Sequence, residues 1–214
     1  MNLKDYKFLI QNLPVRQQYF NTKRTTWSNF ETQFEWFKRL NDNLFNNNRN
    51  LSISRQDVFN TDDLESKIIK AIYWGYPGGM RGNHFIGILN HFSSLIEGIE
   101  ALIKLEYPTE NHLKEFSQKM RRIDGLGLST YSKLLYFSEI RINSYQCLIL
   151  DKRLIDVFNK NLFSDFDFPT LRYYNTQDHY LSYLMQMNDI KGFLNTKAEN
   201  IEQFLFIFGN NIKE

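Results

Sequence analysis

Apolar side chains along this 214-residue chain recur at three- and four-residue spacing, the period of a helix with one buried face. After Thr26 they fall at Trp27, Phe30, Phe34, Phe37, Leu40 and Leu44, which predicts one helix ended by the polar run 46–50. Thr61-Asp62-Asp63 predicts the N-cap of a helix through Ile72. The spacing from Phe85 to Ile103 predicts a further helix, broken by Tyr107-Pro108-Thr109, which caps the next one through Leu113, Phe116 and Met120. A short helix follows Asp151, and Thr176 opens another through Met187. Thr196-Lys197-Ala198-Glu199 has the form of a capping box for a last helix that Gly209 closes. Segment 163–174, with Pro169 in its middle, predicts a loop. The best strand candidate is only Cys147–Leu150, so the predicted class is all-α.

Composition adds an unusual weight of rings, 16% of the chain, with 19 Phe and 12 Tyr. Most belong in a core, and some are suited to stacking on bases. The net charge is only +2, but it is unevenly spread. Residues 1–55 carry a net +5 and residues 114–153 a net +4, while 56–113 carry −4 and 154–214 carry −3. Two basic blocks can form one face that meets phosphates. Cys147 is the one cysteine, so the chain can close no disulfide within itself and hold no metal by thiolates alone. With no leader-like or long apolar run, the expectation is a cytoplasmic protein with no membrane partner.

Two segments carry candidate chemistry. In Ile123-Asp124-Gly125-Leu126-Gly127-Leu128-Ser129, a Gly-x-Gly turn stands between two helical patterns. Such a turn lets backbone approach backbone, and the free N–H groups of the following helix suit a phosphate oxygen. A plain helix–helix turn fits the same residues. The stretch Trp74–Asn83 holds four of the ten glycines and predicts a loop. Trp74, Tyr76 and Arg81 in it are candidates for contacting a base that has left the stack, and a connector with no binding role is the alternative.

Twenty-two residues after Ser129 comes Leu150-Asp151, at a predicted helix start. Gly125-Leu126-Gly127, then an amphipathic helix, then a hydrophobic residue and Asp resembles the helix-hairpin-helix DNA glycosylase superfamily. Trp74-Gly75-Tyr76-Pro77 and Ile201–Gly209 resemble the small bacterial proteins with the 8-oxoguanine glycosylase fold, some of which accompany antiviral defence genes. The resemblance implies two helical lobes around a cleft, with Asp151 as catalytic carboxylate and Gly125, Leu126 and Gly127 against the DNA backbone. Asp is also a favoured N-cap, and the two roles are compatible. Where bifunctional members carry a nucleophilic lysine, this chain has Ser129, which implies a monofunctional hydrolase. Lys133 lies one turn on and shares that face: it either reaches the site or is a solvated helix lysine. Asp124 replaces the family's proline and repels phosphates unless it turns away or pairs with Arg121 or Arg122.

The implied function is hydrolysis of the N-glycosidic bond of a modified or mispaired base, with duplex DNA and a flipped base as substrate and no cofactor or metal. The alternative is a non-catalytic nucleic-acid-binding or sensing protein that retains the fold. The expected division is an N-terminal helical segment, 1–59, packing with C-terminal helices 151–214, and a helical barrel, 60–150, containing the hairpin.

Overall fold

A computed structural model of the chain describes residues 1–172 and 174–212. Helices carry the fold, as the periodicity predicts. The first are α1 (Lys7–Gln11), α2 (Arg24–Trp27), α3 (Glu35–Phe45) and α4 (Arg55–Phe59). The middle of the chain supplies α5 (Leu64–Gly75), α6 (His84–Asn90), α7 (Phe92–Ile103), α8 (Glu110–Met120) and α9 (Leu128–Phe137). The C-terminal third adds α10 (Lys152–Asn159), α11 (Tyr180–Leu194) and α12 (Ala198–Phe204), the last running into a wider turn through Gly209. No single helix among the described residues is long and apolar enough to cross a membrane.

Two short antiparallel ladders interrupt the helices. β1 (Tyr19–Lys23) pairs with β2 (Asn50–Ser54) from Tyr19 opposite Ser54 to Lys23 opposite Asn50, and β3 (Arg141–Ile142) pairs with β4 (Tyr145–Gln146). In the first ladder only Thr22 and Ile53 are buried; β2 alternates polar and apolar through Leu51 and Ile53 over just five residues, and β1 carries no such pattern, so the helical reading passed over it. The strand expected at Cys147–Leu150 does not form. Those residues pair with no strand among the described residues, and side chains satisfy much of their backbone instead.

Three helix expectations are corrected. The helix expected from Trp27 to Leu44 is broken: α2 gives way to a tight turn at 28–30, and Phe34 is extended (φ −131°, ψ 95°) before α3 begins. Trp27 is responsible for the entry, since its indole donates to Thr22 Oγ1 (2.8 Å) and stacks on Tyr73 at 4.3 Å. The helix expected from Phe85 to Ile103 bends by 73° at His91, and both halves keep their apolar side inward, so the spacing reads straight through the bend. The capping box expected at Thr196–Glu199 is absent. Lys197 caps α12 without a side-chain bond, and Glu199 turns inward, accepting from the Tyr136 hydroxyl (2.8 Å). Segment 163–172 is a loop as expected; Tyr173, also in that expectation, lies outside the described residues.

Both ends of the chain meet. The Met1 ammonium donates to Leu162 O (2.9 Å), Gln11 Nε2 to Leu194 O (2.9 Å), and Asn200 Nδ2 to Ile10 O (3.0 Å). Deeper in, Arg55 and Glu202 form a two-pronged ion pair at 2.8 and 3.1 Å, with both side chains essentially inaccessible. Arg55 Nη1 also donates to the Tyr136 hydroxyl (3.1 Å) and Nε to Gln18 Oε1 (2.8 Å). Burial pushes the Glu202 carboxyl above the usual carboxylate range, and Arg55 opposes that rise.

Removing one partner of such a pair leaves a buried charge uncompensated, which costs about 3–5 kcal/mol. Glu202→Gln is therefore expected to lower stability to chemical denaturation by that amount. Arg55→Met combined with Glu202→Leu should cost less than either single change, and a double variant as unstable as the sum of the singles would count against this account.

Candidate active site

Asp151 reaches its position on a buried, irregular run. Residues 147–150 are all buried, and buried backbone groups need partners. Leu150 N donates to Ser132 Oγ (3.1 Å), and Cys147 N to Ile140 O (2.9 Å). The hydroxyls of Tyr180 and Tyr183 donate to Leu148 O (2.7 Å) and Ile149 O (2.8 Å). Burial holds both phenols well above their ordinary pKa, so they remain donors. The same burial pushes the Cys147 thiol up to about 12, which leaves it unreactive. Asp151 then caps α10 in an extended conformation, its Oδ1 accepting from Arg153 N (3.0 Å) and Leu154 N (3.3 Å).

The other carboxylate oxygen looks toward Lys133, whose Nζ is 3.9 Å from Asp151 Oδ2. Lys133 is 4% exposed, so the reading of a solvated helix lysine is corrected. The reason is that α9 is buried at every position from Thr130 to Phe137. The ammonium donates to Ser129 O (2.7 Å) and Ser129 Oγ (3.2 Å) and lies 5.2 Å from the centre of the Tyr76 ring. Oxygens, a nearby carboxylate and an aromatic face together offset the cost of burying the charge. Gly75 makes room for the lysine stem: a Cβ there would stand 2.6 Å from Lys133 Cδ. The Tyr76 hydroxyl shares a hydrogen bond with Thr130 Oγ1 (2.8 Å), which pins the ring beside the lysine. Ser129, Lys133, Asp151 and Tyr76 therefore converge.

The turn between α8 and α9 lies flat on α6. Gly125 has a left-handed φ of +86°, and a Cβ there would meet His84 O at 2.5 Å. From the other side, a Cβ on Gly87 would meet Asp124 Cβ at 2.7 Å and Asp124 O at 2.8 Å. Asp124 is held by this packing and forms no ion pair with Arg121 or Arg122 among the described residues. Leu126 is fully buried. Gly127 differs from its neighbours: it is extended (φ −69°, ψ 171°), caps α9 without a side chain, and has nothing within 4 Å of where a Cβ would be. The backbone at Gly127, where α9 begins, thus has open space on its side-chain face.

A comparison with protein-family models matches residues 13–206 to the family described as "Putative 8-oxoguanine DNA glycosylase OGG-like protein". The chain belongs to that family. No curated protein and no solved structure matches it.

For this member of the OGG-like family, the structure separates the three loop candidates. Tyr76 joins the site. Trp74 is a core residue: its ring meets Phe20 and Phe137 edge-on, and its indole donates to Gln18 O (3.1 Å), so no face is left for a base. Arg81 is exposed and has no bond to the site. Sequence reasoning missed Arg153, two residues beyond Asp151, whose guanidinium lies 4.8 Å over the half-buried Phe206 ring. It also missed Gly75, for which the buried Lys133 is the only signal. Among the described residues no group of three His, Cys, Asp or Glu side chains is placed to hold a metal.

The two glycines of the turn predict opposite behaviour. Gly125→Ala is strained by both its φ and the His84 carbonyl, and should destabilise the protein by more than about 1 kcal/mol. Gly127→Ala sits in open space at a helix cap and should cost about 1 kcal/mol or less. Thermal melts of the two variants check this, and equal losses would contradict it.

Proposed function

We propose that this protein is a DNA N-glycosylase that hydrolyses the bond between a modified or mispaired base and its deoxyribose, with Asp151 as the central carboxylate. The observation that carries the reading is the pairing of a fixed, partly accessible Asp151 with the Lys133 ammonium, close to the N-terminus of α9. The departing base takes the bonding electron pair, and positive charge builds on the sugar at C1′. A carboxylate already held by two backbone amides stabilises that charge without reorganising. A water molecule then adds its oxygen to C1′, and its proton passes to the carboxylate. The Lys133 ammonium, 3.9 Å from Oδ2, orients Asp151. The Tyr76 ring and the Arg153–Phe206 pair supply aromatic faces for a base drawn out of the stack, and the backbone at Gly125, Leu126 and Gly127 meets the strand.

The ammonium of Lys133 already donates two hydrogen bonds to Ser129. That favours a monofunctional hydrolase over attack by lysine on the sugar. Incubation with duplexes carrying single damaged bases should yield abasic sites that break only on alkali, and borohydride should trap no protein–DNA adduct. An adduct that vanishes in Lys133→Ala would instead make Lys133 the nucleophile. A protein that binds these duplexes but releases no base from any of them would support the binding-only reading.

Asp151→Asn preserves the cap, since Asn and Asp cap about equally, but removes the charge. Base release should fall by at least about a hundredfold, the scale of one lost electrostatic stabiliser. The variant should also melt lower, because the buried Lys133 ammonium loses the carboxylate 3.9 Å away. Adding Lys133→Met should recover the melting temperature and leave activity lost. Full activity in Asp151→Asn would reduce the carboxylate to a cap.

A further inference from the structure

Ser129 and Gly127 also line an opening. It is a groove of about 380 Å³ between the start of α9, α10 and the residues Leu171, Arg172, Tyr174, Thr176 and Gln177, within the range of about 300–1,000 Å³ typical of small-ligand sites. Its inner surface is apolar: Leu171 is buried, and Leu128 and Ile155 are half-buried. Tyr174, 69% exposed, also lines it and leaves much of its ring open to solvent. Three cations surround it, Arg121, Lys152 and Arg172, against the single acid Asp156. Lys152 pairs with Asp156 within α10, whereas neither arginine is in an ion pair among the described residues.

An apolar slot, an exposed ring and two uncommitted guanidinium groups complement a ligand that is flat and aromatic at one end and anionic at the other. A nucleotide has that form. Free phosphate has no use for the slot, and a plain apolar ligand has no use for the arginines. Because the groove begins at Gly127 and Ser129, a strand whose phosphate meets the first N–H groups of α9 brings its next nucleotide to the groove's edge. We propose that the groove holds one unpaired nucleotide of the DNA strand passing the turn, with its base against Leu128, Ile155 and Tyr174 and its phosphate between Arg121 and Arg172. The proposal rests on the reading that the protein acts on DNA, and is independent of whether Asp151 catalyses.

The test is fluorescence anisotropy of the full chain at low salt with a labelled pentadeoxyadenylate strand. Unlabelled strand, deoxyadenosine 5′-monophosphate and inorganic phosphate serve as competitors at matched ionic strength. The strand is expected to bind, with the mononucleotide competing at least about tenfold less well than the strand and phosphate not competing. Tyr174→Ala should weaken strand binding about tenfold, the scale of one lost base–ring stack, and Tyr174→Phe should restore it. Arg172→Gln should weaken binding and make it less sensitive to salt. Equal competition by the mononucleotide would make the occupant a free nucleotide, and equal competition by phosphate would leave only an anion patch. Either result overturns the proposal, as does strand binding unchanged in Tyr174→Ala. Base release from damaged duplexes is measured in parallel. A protein that releases bases but whose strand binding ignores Tyr174 and Arg172 loses the groove and keeps the glycosylase reading. One that binds through the groove and releases nothing does the reverse.

Discussion

The Arg55–Glu202 pair is the interaction on which the rest of the molecule depends. Its two residues are 147 positions apart, both essentially inaccessible. Charges without water demand complete partners. Glu202 supplies both carboxylate oxygens, and Gln18 and Tyr136 take two of the three remaining N–H donors on Arg55. Because those partners sit in the N-terminal segment, in α9 and in α12, all three must arrive together. The same requirement draws Glu199 inward to Tyr136, with Arg16 at 3.5 Å behind it. Burial lowers the proton affinity of Arg55, but Glu202 and Tyr136 more than reverse that, so the guanidinium stays charged.

This buried pair also acts on the candidate site through charge. Beyond burial, which raises it most, the carboxyl of Glu202 is lowered by Arg55 and Lys133 and raised by Asp151. The groove beside α10 belongs to the outer face of the same corner, where α9 begins and the charges meet solvent.

Hydroxyl groups do much of the positioning. The 147–150 run has no strand beside it, so Ser132, Tyr180 and Tyr183 take the place of a neighbouring backbone. Several of the many aromatic residues are thus structural donors rather than plain filling. On the opposite side, glycines do the complementary work of removing atoms. Gly75 yields space to Lys133, and Gly87 and Gly125 let the turn press against α6.

What the sequence determined by itself follows from local rules. Helix period, N-caps at Asp63, Thr109 and Asp151, and the Gly-x-Gly turn depend on residues within a few positions of one another. Those rules sufficed for the all-helical class, and the spacing from the turn to Asp151 pointed to the family. They failed where two equally local patterns led to different structures. The period from Trp27 to Leu44 and from Phe85 to Ile103 is kept by broken helices as well as by straight ones. Thr196–Glu199 spells a cap whose glutamate is claimed by a distant tyrosine. Only the tertiary structure decided that Lys133 is buried beside Asp151, that Trp74 is core while Tyr76 faces the site, and that Gly127 stands open while Gly125 is wedged on His84. Each of those outcomes depends on desolvation and on atoms from remote parts of the chain, and neither is written in the spacing of neighbouring residues.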